Sequence, residues 1–210
     1  MSLPQSQPNV TVEEYLTLER ESEERHEYLD RQLYAMVGES EEHGDICVNS
    51  VGELRTQLRG RPCRVWTKDV KVRSGPTPKP YRTTRGLFSY PDVVVVCGER
   101  QYHDQHRDVL LNPKVIIEVL SPSTEAFDRG EKFRRYRSYL NSLIDYVLVS
   151  QAMPLVEHYR RQSNNEWVLA AVGELEGNLQ LASIDCTLRL AEIYDRVTFP
   201  AETIEPPDEE

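Results

Sequence analysis

The chain lacks any run of about 18 apolar residues, so no membrane-spanning helix is expected. Its first ten residues, MSLPQSQPNV, carry neither a basic stretch nor an apolar core, and secretion through a signal peptide is not expected. Clustered cysteine is missing as well. Cys47, Cys63, Cys97 and Cys186 are scattered and form no C-x-x-C pair, which argues against a zinc site and against a small disulfide scaffold. Reduced thiols in a cytoplasmic protein are the plain expectation. An excess of positive charge is also absent: the net charge is −10, which taken alone argues against a polyanionic partner.

What is present is an ordinary soluble composition, 39% hydrophobic and 29% charged over 210 residues, enough for one domain with a substantial core. The charge is segregated. Between Arg55 and Arg85 ten basic residues stand against one acidic residue, Asp69, and a second basic run, RGEKFRRYR, covers residues 129–137. The rest is acidic, notably ERESEERHE and the final EPPDEE. Such segregation can build a local basic surface on an acidic protein, or only solvated faces scattered in space.

Residues 1–10 read as a flexible leader, 11–200 as a single domain and 201–210 as a flexible acidic tail. Thr11 with Glu14 three residues on has the capping-box pattern for a helix to about Glu24. HEYLDRQLYAMV reads as a hairpin turning at Asp30-Arg31, and Ser40 caps a helix to about Leu58. CRVWTKDVKVRS alternates as an extended segment, and YPDVVVVCG is an apolar strand opened by Pro91. After a polar loop over 99–112 comes PKVIIEVLSPSTEAFDRGEK, a buried strand that leads into a helix from about Glu125 to Leu140. Successive strands follow, from IDYVLVS to NLQLAS. The order predicts a mixed α/β fold, with a central sheet, flanking helices and additional antiparallel strands.

Glu118 is the anomaly, a carboxylate amid Val115, Ile116, Ile117, Val119 and Leu120, where desolvation is costly unless a cation or donor compensates. Asp92 opens the VVVV strand 26 residues earlier, a spacing that lets strand, loop and neighbouring strand bring both acids to one edge. Two such acids raise one another's pKa unless a cation lies between them, and hard oxygen ligands suit Mg²⁺ or Mn²⁺. SPST starts a helix that carries Asp128 and Lys132 four apart, and helical side chains lean toward the N-terminus, back toward Glu118. Asp, Glu and Lys around a divalent metal suit phosphodiester hydrolysis.

The run YPD, EVLSPST, D and EK, preceded by the HEYLDRQL hairpin, resembles the Uma2 family of restriction-endonuclease-like proteins in the PD-(D/E)xK nuclease superfamily. The resemblance covers roughly residues 10–160. It implies a restriction-endonuclease-like core, an endonuclease acting on DNA, and Asp92, Glu118 and Glu27 as metal ligands. Asp92, Glu118 and Lys132 would be the catalytic set. Lys132 would replace the superfamily's usual lysine, whose place two residues after Glu118 is taken by Leu120. His43 and Asp69 match recurrent polar positions of the family and, with Asp128, are auxiliary candidates. Lys68, Lys71, Arg73, Arg82 and Arg85, with Arg134, Arg135 and Arg137, are candidate phosphate contacts. Cutting two strands favours a two-fold homodimer, with residues 154–181 as a candidate interface. The alternatives are an inactive binding module on the same fold and a phosphohydrolase acting on another nucleic acid or on small phosphate esters.

Overall fold

The computed structural model describes residues 9–36, 38–76 and 85–200. The expected tail and nearly all of the expected leader lie outside these, as does Arg82.

Helix α1 (Val12–Glu21) starts where expected: the Thr11 hydroxyl accepts from the Glu14 N–H, and the Glu14 carboxylate answers at the Thr11 backbone. Strands β1 (His26–Leu29) and β2 (Gln32–Ala35) form the hairpin, with Asp30 and Arg31 both at positive φ, as a two-residue type I′ turn requires. Helix α2 (Glu41–Gln57) is capped by Ser40.

The stretch expected as one extended segment divides into β3 (Cys63–Thr67) and β4 (Lys71–Ser74), which belong to different sheets. Strands β5 (Leu87–Ser89), β6 (Val93–Cys97), β7 (Val109–Leu110), β8 (Val115–Leu120), β9 (Asp145–Ser150), β10 (Val156–Arg161) and β11 (Trp167–Val172) follow. A small hairpin of β12 (Asn178–Leu181) and β13 (Cys186–Arg189) comes last. The principal sheet has six strands in the order β11-β10-β9-β8-β6-β3. Within this sheet only β8 and β9 pair in parallel, as expected where a helical crossover joins them. A second sheet, β2-β1-β5-β4-β7, carries the hairpin.

Strand alternation distributes the core. Val93, Val95, Val115, Ile117 and Val119 face α2 and the β12–β13 hairpin. Val94, Val96, Ile116 and Leu120 face the other way, against Phe133, Tyr136 and Leu140 of the crossover and Val72 and Leu87 of the second sheet. By parity Glu118 belongs to this second face, which decides what it meets.

The crossover itself departs from the uniform helix expected. A short α3 (Glu125–Phe127) runs through a π-helical turn, Asp128–Lys132, into α4 (Phe133–Tyr139). π turns are rare and concentrate at functional sites. Here the turn carries Asp128 and Lys132, both buried.

The thiols require a correction. β3 and β6 pair in antiparallel register with Cys63 opposite Cys97, and the two are joined as a disulfide; Cys47 and Cys186 are free and buried. The 34-residue separation hid this pairing, because only the strand register brings the two sulfurs together.

Candidate metal centre

The centre lies where α2, the start of β6, the end of β8, β1 and the π turn converge on a cavity of about 170 Å³. Asp92 immediately precedes β6. Its Oδ2 accepts from the Val119 N–H at 2.7 Å, which ties it to the residue after Glu118. Its Oδ1 lies 3.0 Å from His43 Nε2 and 3.6 Å from Lys68 Nζ. The register explains the lysine: Thr67 pairs with Val93, so the next residue of the β3 chain falls opposite Asp92. Burial would raise the Asp92 pKa, but the bond and charge of His43, the Val119 N–H and Lys68 outweigh it, and the carboxyl lies below its usual value.

Glu118 is 2% exposed. Its Oε2 is 3.3 Å from Lys132 Nζ, and its Oε1 accepts from the Tyr136 hydroxyl at 3.2 Å. Lys132 also lies 3.0 Å from Asp128 Oδ1 and 3.5 Å from Glu27 Oε1. One cation thus serves three carboxylates. The imbalance shifts the acids upward. Burial raises Glu118 well above the usual carboxylate range, Lys132 offsets only part of this, and Asp128, Asp92 and Glu27 push it further up. Glu27 is also raised by burial, against Lys132 and a bond from the Tyr90 N–H. Burial alone would lower the Lys132 pKa, but the three carboxylates reverse that and hold the ammonium charged.

A divalent cation fits this donor set. Glu27, Asp92, Glu118 and Asp128 all line the cavity, and their hard oxygens suit Mg²⁺ or Mn²⁺. Asp128 Oδ1 is buried and, though near Lys132, has no well-directed hydrogen bond. A ring nitrogen of His43, Cys47 Sγ and an Asp92 oxygen also lie within 4.8 Å of one another. Burial pushes the Cys47 thiol far up, however, which disfavours the thiolate a metal would need.

The remaining sequence candidates scatter. Asp69 is exposed and paired with Arg25, away from the centre. Lys68 bonds Glu39 and Asp92 and so joins the centre instead of a phosphate-facing surface. Lys71 is buried between Asp108, at 3.1 Å, and the Tyr90 ring, and Arg73 is buried over Phe88, donating to the Pro76 carbonyl. Neither can reach a nucleic acid; their alternation in VKVR hid this because β4 is buried on both faces. Arg85 is exposed. Sequence reasoning missed the Tyr136 hydroxyl, which looked like core, and Lys68's place on Asp92, which needed the β3–β6 register.

Three comparisons bear on this arrangement. The sequence model of the Uma2 family, described as "Putative restriction endonuclease", matches residues 12–191. Two uncharacterized proteins of Synechocystis sp. are similar: slr1290 is 33% identical across 91% of this chain and 95% of that protein, and sll1609 is 28% identical across 76% and 85%. A crystal structure from Anabaena variabilis, titled a putative nuclease belonging to DUF820, superposes with a TM-score of 0.69 at 17% identity, over 88% of this chain and 97% of that one. At that identity the likeness is one of fold.

Proposed function

This chain belongs to the Uma2 family, and from that premise we propose that it is a metal-dependent endonuclease hydrolysing DNA phosphodiester bonds. The observation that carries the reading is the buried cluster in which Lys132 is shared by Glu118, Glu27 and Asp128, with Asp92 lining the same cavity, large enough for water and a phosphate oxygen. Asp92, Glu118 and Glu27 would hold Mg²⁺ or Mn²⁺, and the bound cation would supply Lewis acidity and a more acidic water.

The chain's own residues do the rest. His43 and the Val119 N–H keep Asp92 ionised and oriented. Tyr136, bonded to Ser89 at 2.6 Å, fixes one oxygen of Glu118 and leaves the other facing Lys132. The Lys132 ammonium, held charged by its neighbours, is placed to orient the attacking water and to balance charge developing on phosphate. It fills the role of the lysine expected at position 120 because Glu118 and the crossover share one face of the sheet. Leu120 meanwhile packs into the core on that face.

Cleavage of supercoiled, linear and single-stranded DNA with Mg²⁺ or Mn²⁺ tests the reading, with Glu118→Gln and Lys132→Ala alongside. Cleavage by the wild-type protein and its loss in both variants is expected; equal activity in all three sinks the centre. A homodimer fits the same reading. β11 is the edge of the principal sheet, uncharged over Trp167–Val172, with Val168 and Leu169 half exposed. Light scattering should show a dimer that Leu169→Lys dissociates; a monomeric wild-type protein would exclude it.

A further inference from the structure

A second, strongly basic cleft of about 570 Å³ is lined by Asp30, Arg31, Arg85, Arg134, Arg135 and Tyr139. Its construction is independent of the metal ligands. Asp30 is the anchor: it accepts from the Gly86 N–H at 2.8 Å and from two nitrogens of the buried Arg135. Glu131 binds Arg134 at 2.6 and 2.8 Å and Arg135 Nε at 2.6 Å. The bonds from Arg134 and Arg135 hold the Glu131 carboxyl at about 2 against its partial burial, so it remains ionised.

Both carboxylates are therefore committed to Arg134 and Arg135. Arg31 and Arg85 are exposed and have no ion-pair partner among the described residues, so the cleft keeps an excess of positive charge on a chain of net charge −10. Arg31 is at φ 84°, a left-handed position of the I′ turn that glycine fills at lower cost. The guanidinium is thus kept where its backbone is disfavoured. Tyr139 adds an exposed ring.

The place of the cleft follows from the chain. Asp30 is three residues beyond Glu27 on the hairpin, and Arg135 is three beyond Lys132 on the crossover. These offsets correspond to about 5–10 Å along a helix or strand, or about one to three nucleotide rises of 3.4 Å. We propose that this arginine cleft is a phosphate-anchoring subsite that grips the backbone of the nucleic-acid strand entering the metal centre. Planar guanidinium forks suit the non-bridging oxygens of a phosphodiester, and Tyr139 offers a stacking ledge for a neighbouring base. The inference rests on the nuclease reading for its ligand.

The test is fluorescence anisotropy of a labelled DNA duplex in EDTA over a potassium chloride series. The wild-type protein is compared with Arg31→Ala/Arg85→Ala and with a charge-matched control, Arg189→Ala/Arg196→Ala. Each lost phosphate contact removes about 0.9 from the slope of log K against log salt, so the cleft variant should lose about 1.8 and the control nothing. Circular dichroism should show both variants folded, since all four side chains are exposed. An unchanged slope in the cleft variant, or an equal loss in the control, overturns the subsite. So does stabilisation by inorganic phosphate that needs Arg31 and Arg85 while the DNA slope does not. A wild-type protein that binds DNA but cleaves none with either metal fails the nuclease reading instead, and the slope still decides the cleft.

Discussion

Replacing Lys132 with methionine keeps most of the side-chain volume and removes the one cation that Glu27, Glu118 and Asp128 share. Removing one partner of a buried ion pair costs about 3–5 kcal/mol, because the other charge is left uncompensated. Here the carboxyls have an escape, which gives the prediction its pH signature. Glu118 and Glu27 already titrate above their ordinary values. A raised carboxyl pKa means the native state binds more protons than the unfolded one. Stability therefore falls as pH rises from the unfolded pKa, near 4.5, through the elevated folded pKa. Without Lys132 both folded values rise further. The penalty should be full at pH 8 and shrink toward pH 5, where the carboxyls take up protons instead of facing one another charged. With a urea m-value of about 2 kcal/mol/M, the midpoint at pH 8 should drop by about 2 M. Urea unfolding in EDTA at pH 5 and pH 8 reads this directly. A midpoint unchanged at pH 8, or a loss just as large at pH 5, would refute the shared-cation account.

Other consequences are simpler. Mn²⁺ or Mg²⁺ should stabilise the wild-type protein in a thermal shift and flatten the decline above pH 4.5, and Asp92→Asn should abolish the shift; a shift retained in that variant would move the metal elsewhere. Asp92 itself, held below its usual pKa, contributes stability that is present above about pH 4 and lost on further acidification. In His43→Ala that loss should begin at higher pH, as acid unfolding followed by circular dichroism would show. Thiol titration of the denatured, unreduced protein should count two free cysteines, Cys47 and Cys186. Reducing the Cys63–Cys97 bond opens a 34-residue loop and should cost about 3–4 kcal/mol on the chain-entropy account; four free thiols would remove the disulfide. Thr11→Ala deletes the α1 capping box and should cost about 1 kcal/mol in chemical denaturation.

Local rules were legible in the sequence wherever neighbouring residues carry them. Thr11 and Ser40 announced their helices through the hydroxyls that satisfy the first N–H groups. Asp30-Arg31 announced a hairpin, and the apolar runs at Val93–Cys97 and Val115–Leu120 announced strands buried on both faces. The cost of burying Glu118 also pointed to a cation before any contact was known.

Sheet order and register were not written locally. Register put Lys68 on Asp92, joined Cys63 to Cys97, and sent β3 and β4 to different sheets. Burial of β4 withdrew Lys71 and Arg73 from any surface, although their charge in a linear reading suggested the opposite. Residue parity along β8 placed Glu118 toward the crossover, and the π turn there supplied both Lys132 and Asp128. The sequence by itself determined that a carboxylate would be buried and need a counter-charge, because desolvation is a property of the residue and its neighbours. Which cation answers it, and from which element, only the tertiary structure decided, because Coulomb energy depends on distances that no one-dimensional spacing encodes.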